Sequence, residues 1–355
     1  MNQFANAHVH AHLCDPKRVE PFLEALSKTG ITHAALLSLT CAPRYEKVQN
    51  LSLLWWKSRF KKLDLSVFGS VHETDVYKDV PYEVQAQKLL ELGCDGMKFL
   101  QMKPDVRKAI GKGINHKSYD KMFSMLEERR VPVIIHSGDP ENFWDKSTMT
   151  PEEIAKGYGY GDGTFLSCQE HYDECFEMLD KHPKLNAVFA HMFFLSNHLD
   201  EAQRIMETYP NVRFDLTPGW EMYVAFGKNI DKWHDFFEKY NERILFGTDS
   251  GDHKYNEAAL HNLVYSAITH DSSEFEMPGF PGKFTRGLDL SEKAVENICY
   301  NNYERLVGKQ MATVDMDGVY ACAQKMLSDI RDNGMEQDII WLENFLKNDQ
   351  FGRNS

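Results

Sequence analysis

The chain lacks the features that mark several large classes of protein. No stretch approaches the ~20 consecutive apolar residues that a membrane-crossing helix needs, so no spanning segment is expected. Basic residues are outnumbered: 40 Lys and Arg stand against 53 Asp and Glu, a formal net charge of −13. This argues against a nucleic-acid-binding surface. The seven cysteines are odd in number, scattered, and form no Cys-x-x-Cys pair. A disulfide framework is therefore excluded, and a reduced, cytoplasmic chain is the expectation. The residues up to His10 are too few and too polar for a signal peptide. A glycine-rich phosphate turn after the first apolar run is also missing, which speaks against an open dinucleotide-binding sheet.

What is present is a repeating alternation. At 42% hydrophobic and 26% charged residues, the chain can bury a large core. Short, unalternating apolar runs occur at Phe4–Val9, Thr32–Leu39, Leu65–Val71, Gly96–Leu100, Val131–Ile135, Ala187–Ala190, Val212–Leu216 and Ile244–Gly247. Strands buried on both faces of a parallel sheet have this pattern. Amphipathic segments of helical length lie between them, most clearly Arg18–Lys28, Val84–Leu92, Tyr119–Arg129, Glu170–Lys181, Leu199–Thr208 and Lys232–Lys239. Eight such units predict an α/β fold, a (β/α)₈ TIM barrel, over residues 1–310. Residues 311–355 are expected to form a C-terminal helical extension that covers the barrel or serves a homodimer interface. Two long connections, Ser137–Leu166 and Ser250 to about Leu288, fall after the fifth and eighth strands. Both belong to the face where barrel enzymes carry their sites.

Polar residues gather at the strand ends. The first strand ends in His8-Val9-His10, and residues two apart on a strand share a direction. The fifth ends in His136, the sixth in His191, and the eighth in Asp249. Barrel closure brings four strand ends to one rim, and neutral imidazole with carboxylate is a metal-ligand set. Each residue alone reads as a satisfied structural group, but the conjunction does not. Lys98, near the end of the fourth strand, has three readings: a carboxylated bridge between two metals, a cation for a substrate carboxylate, or a salt-bridge partner. His72, at the end of the third strand, and Arg107, in the basic run Lys103, Arg107, Lys108 and Lys112, are further candidates for substrate binding.

These motifs, HVH at residues 8–10, IIHSGD at 134–139, FAHMF at 189–193 and FGTDS at 246–250, together resemble the amidohydrolase superfamily. The resemblance is to the branch that includes aminocarboxymuconate-semialdehyde decarboxylase and spans roughly residues 4–310. It implies that His8, His10, His136 and Asp249 bind one divalent metal, usually zinc, or two if Lys98 is carboxylated. It implies that His191 orients or activates the attacking water, with Asp249 as proton shuttle. A bound Zn²⁺ lowers the pKa of its water to about 7. The leading expectation is hydrolysis of a small-molecule amide, ester or lactone, one that carries a carboxylate. The alternatives are decarboxylation or hydration of an unsaturated acid, and a metal-binding barrel without catalysis.

Overall fold

Each of the eight predicted strands forms. In the computed structural model, which describes residues 3–12, 14–73, 76–77, 79–253, 256–331 and 335–348, they are β1 (Phe4–His10), β2 (Ile31–Leu37), β3 (Asp64–Gly69), β4 (Gly96–Met102), β5 (Val133–Ser137), β6 (Ala187–Phe189), β7 (Arg213–Asp215) and β8 (Ile244–Leu245). A ninth short strand, β9 (Ser250–Gly251), continues the eighth run after a break. Strand order is β8-β7-β6-β5-β4-β3-β2-β1-β9, all parallel. Because β8 and β9 are pieces of one run, the sheet closes on itself as a barrel. Ala7 N–H donates to Phe246 O at 2.9 Å, and Asp249 N–H to His8 O at 2.9 Å, across that seam. Asn6 holds the break in place: its amide donates to Thr248 Oγ1 at 2.7 Å and accepts from Thr248 N–H at 3.2 Å.

Burial explains the unalternating sequence of the strands. One face of the sheet packs outward on the helices. The other fills the barrel with Ala5, Ala7, Ala35, Leu37, Phe68, Ile134, Val188 and Leu245, closed by Tyr303 and Leu306. Small residues on β1 and β2 leave room for Phe68 across the interior, as a barrel core of interdigitated layers requires.

The predicted helices form within a few residues of their expected ends, but several were not anticipated, two of which border the strand ends. The helix Gln49–Arg59 buries Gln49, Asn50, Leu51, Ser52, Leu53, Leu54 and Trp56, so it has no polar stripe. Its polar residues are consumed internally. Gln49 Oε1 accepts from Leu39 N–H at 2.8 Å and its amide donates to His12 O at 3.0 Å. Asn50 donates to Ser70 O at 2.8 Å. This helix thereby ties together the segments that follow β1, β2 and β3. The second of these two, the helix Trp220–Lys228, follows β7 directly.

Of the predicted extension, residues 332–334 and 349–355 lie outside the described residues. Helices Met316–Ile330 and Glu336–Asn348 form, and the first packs on Gln49–Arg59. Fully buried Asp338 accepts from the backbone N–H groups of Lys47 and Val48 at 3.1 and 3.2 Å, satisfying donors at the start of that helix. The loop after the eighth strand is not irregular throughout: it contains the helix Glu257–Thr269 and a small hairpin, Glu274–Glu276 with Phe284–Arg286. Among the described residues, no helix is long and apolar enough to cross a membrane.

Removing Asp338 leaves two buried N–H groups without an acceptor. Asp338→Ala is expected to lower the unfolding free energy by about 1–3 kcal/mol, read as a lower urea midpoint. An unchanged midpoint would show that the C-terminal helices contribute nothing to the barrel through this contact.

Candidate active site

The strand ends bring three of the predicted ligands to one point. His8, His10 and Asp249 offer donor atoms that all lie within 4.8 Å of one another. His8 Nε2 and His10 Nε2 are 3.1 Å apart, and Asp249 Oδ1 lies 3.5 and 3.2 Å from them.

The tautomers follow from the partners. His10 Nδ1 faces the carbonyl of Leu37 at 3.0 Å, an acceptor only, so Nδ1 carries the proton. His8 Nδ1 faces Asp215 Oδ2 at 2.9 Å and donates likewise. Both Nε2 atoms are then bare lone pairs, pointed at each other and at a carboxylate oxygen. Three acceptors converging without a shared proton repel one another, and a cation resolves that conflict. Two imidazole nitrogens and one carboxylate oxygen suit Zn²⁺ and related divalent ions.

Asp215 is the functional residue that the sequence reading missed. It ends β7 as His136 ends its own strand, and an acid closing a buried apolar run was the available signal. It is fully buried. Besides His8, it accepts the backbone N–H of His191 at 2.8 Å and both the N–H and the hydroxyl of Thr217. Burial pushes its carboxyl upward, but the neighbouring His8 and these donors win and hold it well below the usual carboxylate range. Burial lowers the His8 pKa to about 4, with Lys98 adding to the effect, so His8 is neutral at physiological pH. Desolvation raises Asp249, yet the imidazoles of His10, His8 and His191 packed around it keep it well below its ordinary value.

Backbone strain sits at the same place. His191, Met192, Phe193 and Phe194 all have φ between 53° and 57°, and Asp249 has φ 51°. The left-handed region costs a non-glycine residue roughly 1–2 kcal/mol. The turn after β6 places the His191 ring between two others, 5.7 Å from His8 and 5.0 Å from His136 by ring centroids. His191 Nδ1 faces Thr217 O at 3.1 Å, which leaves its Nε2 as an acceptor.

His136 is not among the three clustered donors. It adjoins His191, and its Nε2 lies 3.4 Å from Asp139 Oδ1. Asp139 in turn receives Lys103 Nζ at 2.6 and 2.7 Å and the hydroxyl of Tyr160 at 2.6 Å. Lys98 is fully buried, with Nζ 3.4 Å from His8 Nε2. Burial lowers its pKa to about 8 against the opposing pull of Asp215 and Asp249. Among the described residues, no carboxylate lies within ion-pair distance of it.

The softer candidates lie elsewhere. Buried His72 lines an apolar cavity with Tyr77, Leu89, Cys322 and Met326, apart from the three-residue cluster. Arg107 forms a two-pronged pair with Glu174 at 2.9 and 2.7 Å. The rest of its basic run is similarly engaged: Lys103 with Asp139, Lys108 with Thr164 Oγ1 at 2.6 Å, and Lys112 with Glu73 at 3.1 Å. Each of these charges already has a partner within the chain, though Arg107 and Lys108 also line a cavity with Trp144 and Tyr160.

A closed (β/α)₈ barrel with a His-x-His pair and an aspartate meeting at its strand ends defines a barrel with a candidate metal centre. The amidohydrolase family model (Amidohydro_2) matches residues 83–309, and the chain belongs to that family of enzymes. The match begins after His8 and His10, so the pair is an observation independent of it. No curated protein matches the chain. Among solved structures, a TIM-barrel protein from Bordetella bronchiseptica is similar at TM-score 0.51 and 16% identity, covering 86% of this chain and 98% of that one. The 2,6-dihydroxybenzoate decarboxylase from Rhizobium is similar at TM-score 0.50 and 14% identity, covering 86% and 98%. The 4-oxalomesaconate hydratase of Rhodopseudomonas palustris is similar at TM-score 0.51 and 12% identity, covering 92% and 99%. At these identities the likeness is one of fold.

Two outcomes follow from this geometry. Asp215→Asn keeps the shape but weakens the acceptor that fixes His8, so metal affinity is expected to fall about 10–100-fold, measured by chelator competition. The second concerns acid. Burial lowers His8 and His171 to about 4, and lowers His72 and His136 to about 3, from 6.5. In the fold these rings stay neutral, whereas the unfolded chain takes up their protons below about pH 6.5. The stability they provide is therefore complete above that pH and is lost as pH falls toward the folded values. Urea midpoints of the chelator-treated chain should drop steadily between about pH 7.5 and about pH 4.5. A flat profile would contradict their burial as neutral groups.

Proposed function

We propose that the chain is a divalent-metal-dependent enzyme that acts on a small carboxylic acid, and that it removes the carboxylate as carbon dioxide. The observation that carries this reading is Lys98: a buried amine beside ligand His8 with no carboxylate of the described residues at ion-pair distance. Asp215 and Asp249 balance its charge only without direct contact, and a substrate carboxylate supplies the contact partner that a buried cation favours. The decarboxylase and the hydratase that share the fold both act, by their names, on acids, which supports the same substrate class.

His8, His10 and Asp249 would hold the ion, with His136 as the fourth donor and one ion per chain. A divalent cation bound there supplies Lewis-acid polarisation of a substrate oxygen. Lys98 orients the carboxylate. As the bond to that carboxyl carbon breaks, its electron pair stays on the substrate carbon, which takes a proton. His191 is the residue suited to deliver it. Its Nδ1–H is anchored on Thr217 O, and its Nε2, an acceptor at rest, can take a proton from solvent and pass it to the substrate carbon. The depressed pKa of Asp249 makes it a ligand rather than a proton donor in this step.

Membership of the amidohydrolase family favours a second reading, hydrolysis of an amide, ester or lactone at the same residues, with Asp249 accepting a proton from the attacking water. One experiment separates the two. The zinc-loaded chain is incubated with a panel of aromatic and unsaturated acids, and with their amides and lactones, while carbon dioxide and product mass are followed. Release of carbon dioxide, abolished by chelator, supports the proposal; cleavage of the amide into acid and amine, or opening of the lactone with gain of one water, without carbon dioxide, supports hydrolysis and overturns it. Lys98→Met is expected to raise KM for the acid about tenfold or more.

A further inference from the structure

A cavity of about 650 Å³ opens onto this site. Its inner end is formed by His191 and Phe194, whose rings stack at 5.0 Å, and Phe194 also touches His136 at 5.5 Å. Its walls come from the loop after β5 and from the first turn of the helix Trp220–Lys228. The cavity is therefore the approach to the strand-end histidines.

Four carboxylates line it: Glu141, Asp145, Glu153 and Glu221. Three are occupied. Glu141 pairs with His198 at 3.0 Å, Asp145 accepts from Ser147 N–H at 2.9 Å, and Glu153 accepts from Thr150 N–H at 2.7 Å. Glu221 differs. Among the described residues it makes no ion pair, and burial raises its pKa, an effect that Glu153 and Asp139 reinforce and only its own backbone N–H opposes. Its carboxyl folds back over Gly219: a Cβ at that position would collide with Oε1. The absent side chain at 219 is what leaves room for it. An acid in the first turn of a helix has a favourable dipole term, but that term does not require a carboxyl held against a cavity wall with no ion-pair partner.

The neighbouring surface is flat and aromatic. Trp220 lines the same cavity, with Lys283 Nζ 4.0 Å from its ring centre. Phe194 lies at the inner end. The cavity thus joins an aromatic wall to one carboxylate held only by its own backbone N–H.

We propose that Glu221 is a specificity-determining residue, which accepts a hydrogen bond from a hydroxyl or ammonium group of a planar substrate lying against Trp220. This rests on the reading of the cavity as the substrate's approach and deepens the proposed function. The substrate would carry a carboxylate toward Lys98 and a donor group at its far side. A site built to accept such a donor rejects the analogue that lacks it, because the acceptor is then desolvated and unpaired.

Binding of probes to the zinc-loaded full chain, by calorimetry, tests this without turnover. One pair carries a carboxylate, benzoate against 3-hydroxybenzoate; a second lacks it, acetophenone against 3-hydroxyacetophenone; 3-(aminomethyl)benzoate supplies the ammonium arm. In the unmodified chain, the donor-bearing member of each pair is expected to bind about tenfold or more tightly. Glu221→Ala should reduce that ratio to about two or less, with metal content unchanged. The near-isosteric Glu221→Gln should keep the hydroxyl preference and lose the ammonium preference, since its carbonyl accepts without charge. Equal binding within both pairs, a ratio that survives Glu221→Ala, or no binding of any probe would overturn the proposal. Acids that bind without a hydroxyl preference leave the carboxylate reading standing and remove Glu221. A preference confined to the ketone pair, with no acid bound, keeps Glu221 and removes the carboxylate reading.

Discussion

A single buried carboxylate holds this site together. Asp215 lies out of contact with solvent at the end of β7. A bare carboxylate there would cost several kcal/mol in lost hydration. Four donors offset that cost: the His8 ring on one oxygen, and the backbone of His191, the backbone of Thr217 and the Thr217 hydroxyl on the other. Each bond also has a consequence. The first fixes the His8 tautomer, so that its second nitrogen faces His10 and Asp249. The second fixes the turn after β6, so that the His191 ring stands between His8 and His136. The strand ends of β1, β6 and β7 are therefore one unit, and the ligand atoms of β1 have their direction only because β7 supplies an acid.

The left-handed turn at His191–Phe194 makes sense within that unit. Four consecutive non-glycine residues in this region carry a cost that local packing alone rarely covers. Here the turn is bounded by the bond from His191 N–H to Asp215 and by Phe193, fully buried and stacked on Phe189 at 4.0 Å. Asp249 has the same conformation at the break between β8 and β9, and there Asn6 and Thr248 grip the seam. In both places the chain leaves a strand abruptly and aims a side chain back into the barrel mouth. The strain is the means by which residues from distant strands meet over a few ångströms.

The legibility of all this in the sequence was uneven, for physical reasons. The strands were legible because parallel strands buried on both faces leave continuous apolar runs. The histidines were legible because a polar residue that closes a buried apolar run stands out against it. The helix Gln49–Arg59 was not, since covering it on both sides removes the polar stripe that periodicity detects. Direction was also hidden. His72 follows an apolar run as His136 does, yet it lies three residues beyond β3 and lines an apolar cavity away from the cluster, and no run of letters distinguishes the two. Arg107 read as a candidate for anions because its partner Glu174 is far along the chain, and a local charge count cannot see across a loop. Asp215 was visible as a letter but not as a neighbour of His8, because register between β7 and β1 is a property of the closed barrel.

Charge balance gives Lys98 its weight. The centre holds two carboxylates, Asp215 and Asp249, both kept ionised, with the neutral ring of His8 between them. With Lys98 protonated the group carries one net negative charge, and a divalent ion reverses it to one net positive charge. A monoanionic substrate then brings the centre to neutrality, the state that a low-dielectric interior tolerates best. The pKa of Lys98 already stands near 8 through burial. A bound dication lowers it further by repulsion, and a bound carboxylate raises it again. On the proposed reading, proton uptake by this lysine would be linked to arrival of an anion, and the same amine that is least comfortable in the free site would become its counter-charge once an acid is bound.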